Sequence, residues 1–103
     1  MGKIKTSEVL KELKLMKKRS KVEEMLLFGS RARNEELLTS DVDVIVISKR
    51  FVNMPFRQRP NKFLDAWTLP VDLEIICYSP EEFSRKKKEI GLVREAVKQG
   101  VFI

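Results

Sequence analysis

The fold is set by two short stretches, LFGSRAR at residues 27–33 and SDVDVIVI at residues 40–47. The first predicts an apolar strand that ends in a Gly-Ser turn and opens a helix, and the second predicts another strand. Residues i and i+2 of a strand point to the same face, so Asp41 and Asp43 should project side by side. The aliphatic run that follows them is apolar on both faces, which is typical of a central strand covered above and below.

The two stretches together predict a site for a nucleoside triphosphate. Two carboxylates held close together repel each other, and a divalent cation such as Mg²⁺ removes the conflict. Helix N-termini bind phosphate through unpaired backbone N–H groups, and Gly29 permits a close backbone approach. Ser30 can donate its hydroxyl to a phosphate oxygen, and Arg31 and Arg33 add fixed cations.

These residues carry a family resemblance. The sequence GSRAR at residues 29–33 with SDVD at residues 40–43 resembles the signature of the DNA polymerase beta-like nucleotidyltransferase superfamily. In particular it is similar to the minimal nucleotidyltransferases of prokaryotes, including those that act as antitoxins. The resemblance extends from about residue 27 to the end of the chain and is weakest over residues 50–69. It implies an α/β fold in which a small mixed β-sheet is packed with helices, the nucleotidyltransferase fold.

A third strand is predicted over residues 70–78, and it also carries two carboxylates on one face, Asp72 and Glu74. The resemblance implies that a third carboxylate on a neighbouring strand joins the first two. Asp72, between Val71 and Leu73, matches that motif best, and Glu74 is the alternative. Sequence spacing alone does not choose between them.

The rest of the chain completes a layered arrangement in one domain over residues 1–103. Apolar periodicity and capping signals predict helices over residues 6–19, 30–37 and about 60–67, a first strand over 22–28, and a helix that starts at Ser79. The last helix begins with a capping box and carries an apolar stripe that includes Ile90, with Gly91 as a point of interruption. The apolar tail at residues 101–103 would pack on the sheet or a partner, or fray.

Composition narrows the chemistry. The 103 residues are 43% hydrophobic and 35% charged, which suits one folded domain. No apolar run approaches the length of a membrane-spanning helix and no leader pattern opens the chain, so a cytoplasmic location is expected. There is no histidine, and Cys77 is the single cysteine, which excludes Ser-His-Asp and Cys-His catalysis and histidine-ligated zinc.

The net charge of +6 favours an anionic partner: a nucleotide, RNA or an acidic protein surface. Aromatic side chains and arginines alternate over residues 50–67. They could stack bases and hold RNA, but the favoured interpretation is a loop and a short helix whose aromatics cover the sheet.

The resemblance implies a metal-dependent transfer of a nucleoside monophosphate, with ATP the expected donor. Asp41, Asp43 and Asp72 would hold two Mg²⁺ ions and catalyse the displacement, and residues 29–33 would bind the triphosphate. The resemblance further implies a partner, a small helical toxin with a higher eukaryotes and prokaryotes nucleotide-binding domain. The toxin would be neutralised by binding or by AMP transfer onto it. Two alternatives remain: a binding module that neutralises a partner by occlusion without turnover, and a basic RNA-binding protein.

Overall fold

The computed structural model describes residues 3–33 and 41–103. In these parts of the chain the helices are α1 (Thr6–Ser20), α2 (Asn61–Ala66), α3 (Pro80–Lys86) and α4 (Leu92–Gln99). The strands are β1 (Glu24–Phe28), β2 (Val42–Ile47), β3 (Leu73–Tyr78) and β4 (Val101–Phe102). Two 3₁₀ turns, Lys49–Phe51 and Phe56–Gln58, lie between β2 and α2.

The strands form a mixed sheet in the order β3-β2-β1-β4. β1 is antiparallel to both β2 and β4, and β2 is parallel to β3. β2 therefore has a neighbour on each side, as its doubly apolar sequence predicted. Phe28, Asp43 and Glu74 stand opposite one another across β1, β2 and β3, so their side chains share one face at one end of the sheet.

Each face of the sheet has its own hydrophobic core. The alternate residues Val42, Val44 and Val46 of β2 pack against the buried face of α1 and against Phe51 and Phe63. Ile45 and Ile47 point the other way and pack with residues of α3 and α4, among them Phe83, Val93 and Ala96. Asp43 belongs by parity to this second face, which α3 and α4 cover.

Most of the predicted elements are confirmed, with boundaries that shift by one to three residues; the third strand begins at Leu73 rather than at residue 70. The capping box at Ser79 is present: the Ser79 hydroxyl accepts from Glu82 N at 3.3 Å and Ser79 N donates to Glu82 at 2.8 Å. The chain leaves the helix between α3 and α4, as Gly91 allowed, and Ile90 is consequently 92% exposed rather than part of an apolar stripe. The helix predicted over residues 30–37 begins as a turn over residues 29–33, and its remainder lies outside the described residues.

The C-terminal tail packs on the sheet. β4 pairs with β1, and Ile103 N donates to the carbonyl of Met25 at 2.8 Å. No helix in residues 3–33 or 41–103 has both the length and the apolar character needed to span a bilayer.

The region of alternating aromatics and arginines covers the sheet and the start of α3. Phe51 and Phe63 are buried and meet edge to face with ring centroids 6.4 Å apart. Arg59 is also buried and forms a two-pronged ion pair with Glu82, with contacts of 2.6 and 3.3 Å. This pairing supports the covering role of the segment over a role in RNA stacking.

Candidate active site

An open cleft of about 610 Å³ lies where β1 ends and β2 and β3 begin. One wall is the cross-strand row of Phe28, Asp43 and Glu74. The other wall is a face of α4, and Leu64 of α2 closes one side. Gly29 and Arg33 of the turn after β1 complete the rim. The cleft thus joins the glycine turn and a carboxylate pair in one space.

Asp43 lines the cleft in contact with Glu74. Burial raises the pKa of Asp43 to about 6, and the hydrogen bond and negative charge of Glu74 act in the same direction. The charge of Asp41 raises this pKa further, whereas the Arg33 guanidinium lowers it. Because the charged form of Asp43 is disfavoured beside Glu74, a cation between the two carboxylates would be favoured.

Gly29 lies against the side chain of Asp43. Its φ is 77°, in the left-handed region that glycine adopts at little cost. A Cβ at this position would overlap Asp43 Oδ2 and lie 3.2 Å from Asp43 Cγ. Glycine is therefore needed both for the turn and for the space that the carboxylate occupies.

The two arginines of the turn have different positions. Arg33 lines the cleft, and its Nη1 donates to Gln99 Oε1 of α4 at 3.3 Å. Arg31 is 1% exposed, and its Nη1 donates to the carbonyl of Ile4 at 2.6 Å and to Thr6 Oγ1 at 3.3 Å. Arg31 thus ties the start of α1 to the turn, which differs from the phosphate contact that the sequence suggested for it.

The remaining predicted residues lie around this centre. Asp41 is exposed next to Asp43, and Asp72 is exposed at the start of β3, where its carbonyl accepts from Val42 N at 2.8 Å. Ser30 is half-buried in the turn, and its carbonyl accepts from Arg33 N at 3.2 Å. In the described residues no three Asp, Glu, His or Cys side chains stand close enough together to hold a metal ion. The contact that the structure does make is between Asp43 and Glu74.

The sequence did not single out the α4 wall. Leu92, Glu95 and Gln99 line the cleft together with Ala96. Their spacing of three and four residues places them on one side of a helix, but an ordinary amphipathic helix has the same pattern. Only the tertiary structure distinguishes the side of α4 that faces the carboxylates.

Comparisons with known proteins identify the family and the fold. A family model of the nucleotidyltransferase domain matches residues 7–100, so the chain belongs to that family. A crystal structure from Sulfolobus solfataricus, of a protein assigned as a nucleotidyltransferase, superposes with a TM-score of 0.55 and 28% sequence identity. The match covers 99% of this chain and 89% of that chain. Curated protein sequences contain no match to this chain.

Proposed function

We propose that the protein transfers a nucleoside monophosphate, AMP from ATP, onto an acceptor hydroxyl in a reaction that depends on Mg²⁺. The observation that carries the proposal is the contact of Asp43 with both the Gly29 turn and Glu74 inside one cleft. A triphosphate on the turn and a cation on the carboxylates would then be adjacent.

Asp43 and Glu74 supply donors of the kind that binds Mg²⁺, and a substrate phosphate would have to complete the site. Carboxylate oxygens are the protein ligands that this ion prefers, and they are commonly completed by substrate phosphates. Asp41 and Asp43 would hold it, together with Asp72 or Glu74; of these two, Glu74 is the one that contacts Asp43. The metal would supply charge neutralisation for the attacking and leaving oxygens of an in-line displacement.

The chain itself would do the positioning. The turn at Gly29 and Ser30 would bring backbone close to the β- and γ-phosphates, and Arg33 would add a cation from the rim of the cleft. The same guanidinium is already held by Gln99, so its place beside Asp43 is partly organised before a nucleotide binds. A carboxylate of the pair would accept the proton of the attacking hydroxyl.

The antitoxin role rests on the resemblance of the motif. On this proposal the acceptor is the helical toxin described above, and AMP transfer neutralises it. The test is to incubate the protein with Mg²⁺, α-labelled ATP and the toxin encoded beside it. Label on the toxin is expected with the wild type and not with Asp41→Asn combined with Asp43→Asn. Asp65→Asn, an exposed carboxylate on α2, is the matched control and should label normally. Equal labelling by the double variant would refute the carboxylate mechanism.

A second candidate is neutralisation by occlusion without turnover. It is favoured by the lack of a preformed three-carboxylate cluster in residues 3–33 and 41–103. If the double Asp variant neutralises the toxin fully in a growth assay, binding rather than catalysis is the function.

A further inference from the structure

The pairing of β3 with β2 determines which backbone groups of β3 lie on its outer edge. Val42 N donates to Asp72 O at 2.8 Å, and Ser48 N donates to Tyr78 O at 3.0 Å. Because backbone direction alternates along a strand, the N–H and C=O groups of residues 72, 74, 76 and 78 face β2. The groups of Leu73, Ile75 and Cys77 therefore face away from the sheet, since β3 is its last strand.

Side chains occupy both ends of this edge. Arg59 Nη1 donates to Cys77 O at 3.2 Å, and Trp67 Nε1 donates to Val71 O at 2.7 Å. Between them, the backbone groups of Leu73 and Ile75 have no hydrogen-bond partner within the described parts of the chain. An edge strand presents unpaired N–H and C=O groups on which another chain can pair, and the two closed positions limit such pairing to Leu73 and Ile75.

The open edge belongs to the catalytic cleft. Leu73 and Ile75 line it together with Glu74 and Asp43. Exposed apolar side chains stand on both sides of the edge, Leu64 of α2 at 43% exposure and Leu92 of α4 at 54%. The cleft therefore offers backbone pairing and apolar contact beside the carboxylates.

We propose that this edge binds the acceptor as an extended polypeptide segment, which adds an antiparallel strand to β3. The inference rests on the proposed function and says how a protein acceptor would present its hydroxyl. Two residues of the segment would pair with Leu73 and Ile75, and the residue between them would stand opposite Glu74. Residues directly opposite in a pair point to the same face, so that central side chain projects toward Asp43 and Glu74. Its two neighbours point toward the side of Leu64, so the preferred pattern is apolar–hydroxyl–apolar.

The chemistry balances with a hydroxyl at the central residue. Its oxygen attacks the α-phosphorus of the nucleoside triphosphate and forms a P–O ester bond. The bond between the α-phosphorus and the bridging oxygen to the β-phosphate breaks, and pyrophosphate leaves with that electron pair. The hydroxyl proton passes to the Glu74 carboxylate. No oxidant or reductant is required.

The test uses acetylated pentapeptides Lys-Ile-X-Ile-Lys with Ser, Thr or Tyr as X, each paired with a form that is N-methylated at both isoleucines. N-methylation removes the two N–H donors and leaves the protein and the hydroxyl unchanged. Binding is followed by amide chemical shifts of the intact protein without ATP, and transfer by label from α-labelled ATP with Mg²⁺.

We expect the unmethylated peptides to shift the amides of Leu73 and Ile75 and to be labelled at X at least tenfold more than the N-methylated forms. Equal labelling of both forms, or shifts confined to other parts of the protein, would overturn edge pairing. Failure of ATP and Mg²⁺ to shift the amides of Gly29 and Asp43 would instead refute the proposed function. Peptide-induced shifts at Leu73 and Ile75 in that case would still support the docking edge.

Discussion

Replacing Asp43 by asparagine should make the protein more stable at neutral pH while it removes the proposed activity. In the folded protein burial and Glu74 raise the pKa of Asp43 to about 6, against 3.8 for an unperturbed aspartate. Between these values the folded state holds more protons than the unfolded state, so stability falls as the pH rises from 4 to 6. Asparagine does not ionise and can donate to Glu74, so it avoids this cost.

The magnitude follows from the shift. About two pKa units correspond to about 3 kcal/mol at 1.36 kcal/mol per unit. Asp43 is only half-buried, and solvent screening reduces this to about 1–2 kcal/mol. For a domain of this size the gain raises the melting temperature by about 4–15 °C.

The assay is thermal and urea unfolding of both proteins at pH 4, 5, 6 and 7 in the presence of EDTA. The increase in the free energy of unfolding caused by Asp43→Asn should be absent near pH 4 and complete above pH 6. Asp65→Asn, an exposed carboxylate-to-amide change, controls for net charge and should show no such pH dependence. If Asp43→Asn is no more stable than the wild type at pH 7, the claim that the ionised Asp43 destabilises the fold is wrong.

Four further predictions concern Gly29, Arg31, Arg33 and Glu82. Gly29→Ala should abolish nucleotide binding and destabilise the fold in urea unfolding, because the new Cβ would overlap Asp43 Oδ2; a variant as stable as the wild type would contradict this. Arg31→Ala should cost about 1–3 kcal/mol in unfolding because it removes the hydrogen bond to the half-buried Ile4 carbonyl, yet spare nucleotide affinity when measured well below its melting temperature. Arg33→Ala should lower that affinity with little effect on unfolding, and the reverse pattern would contradict the assignment. Glu82, whose pKa Arg59 lowers to about 2, contributes stability that is present above pH 4.5 and lost as the pH falls toward 2. Glu82→Gln should therefore cost about 1–2 kcal/mol at pH 7 and nothing near pH 2, with exposed Glu81→Gln as control.

The sequence by itself determined the order of most elements and the family of the protein. The aliphatic run of β2 required a central strand, because a strand apolar on both faces must be covered on both. The capping box at Ser79 predicted where α3 begins, and Gly91 predicted the break before α4. Both features depend on only a few neighbouring residues. The family followed from the two motifs, since both halves and their separation had to match.

Only the tertiary structure decided how distant residues meet. The pairing of β2 with β3 places Glu74, rather than Asp72, beside Asp43, because register depends on contacts between strands that are far apart in the chain. The same applies to Arg31 and Arg33, which follow one turn yet end in different surroundings. One is buried against the start of α1, and the other is held by α4 at the rim of the cleft. Local sequence specifies which side chains are available, and long-range packing decides which of them share a site.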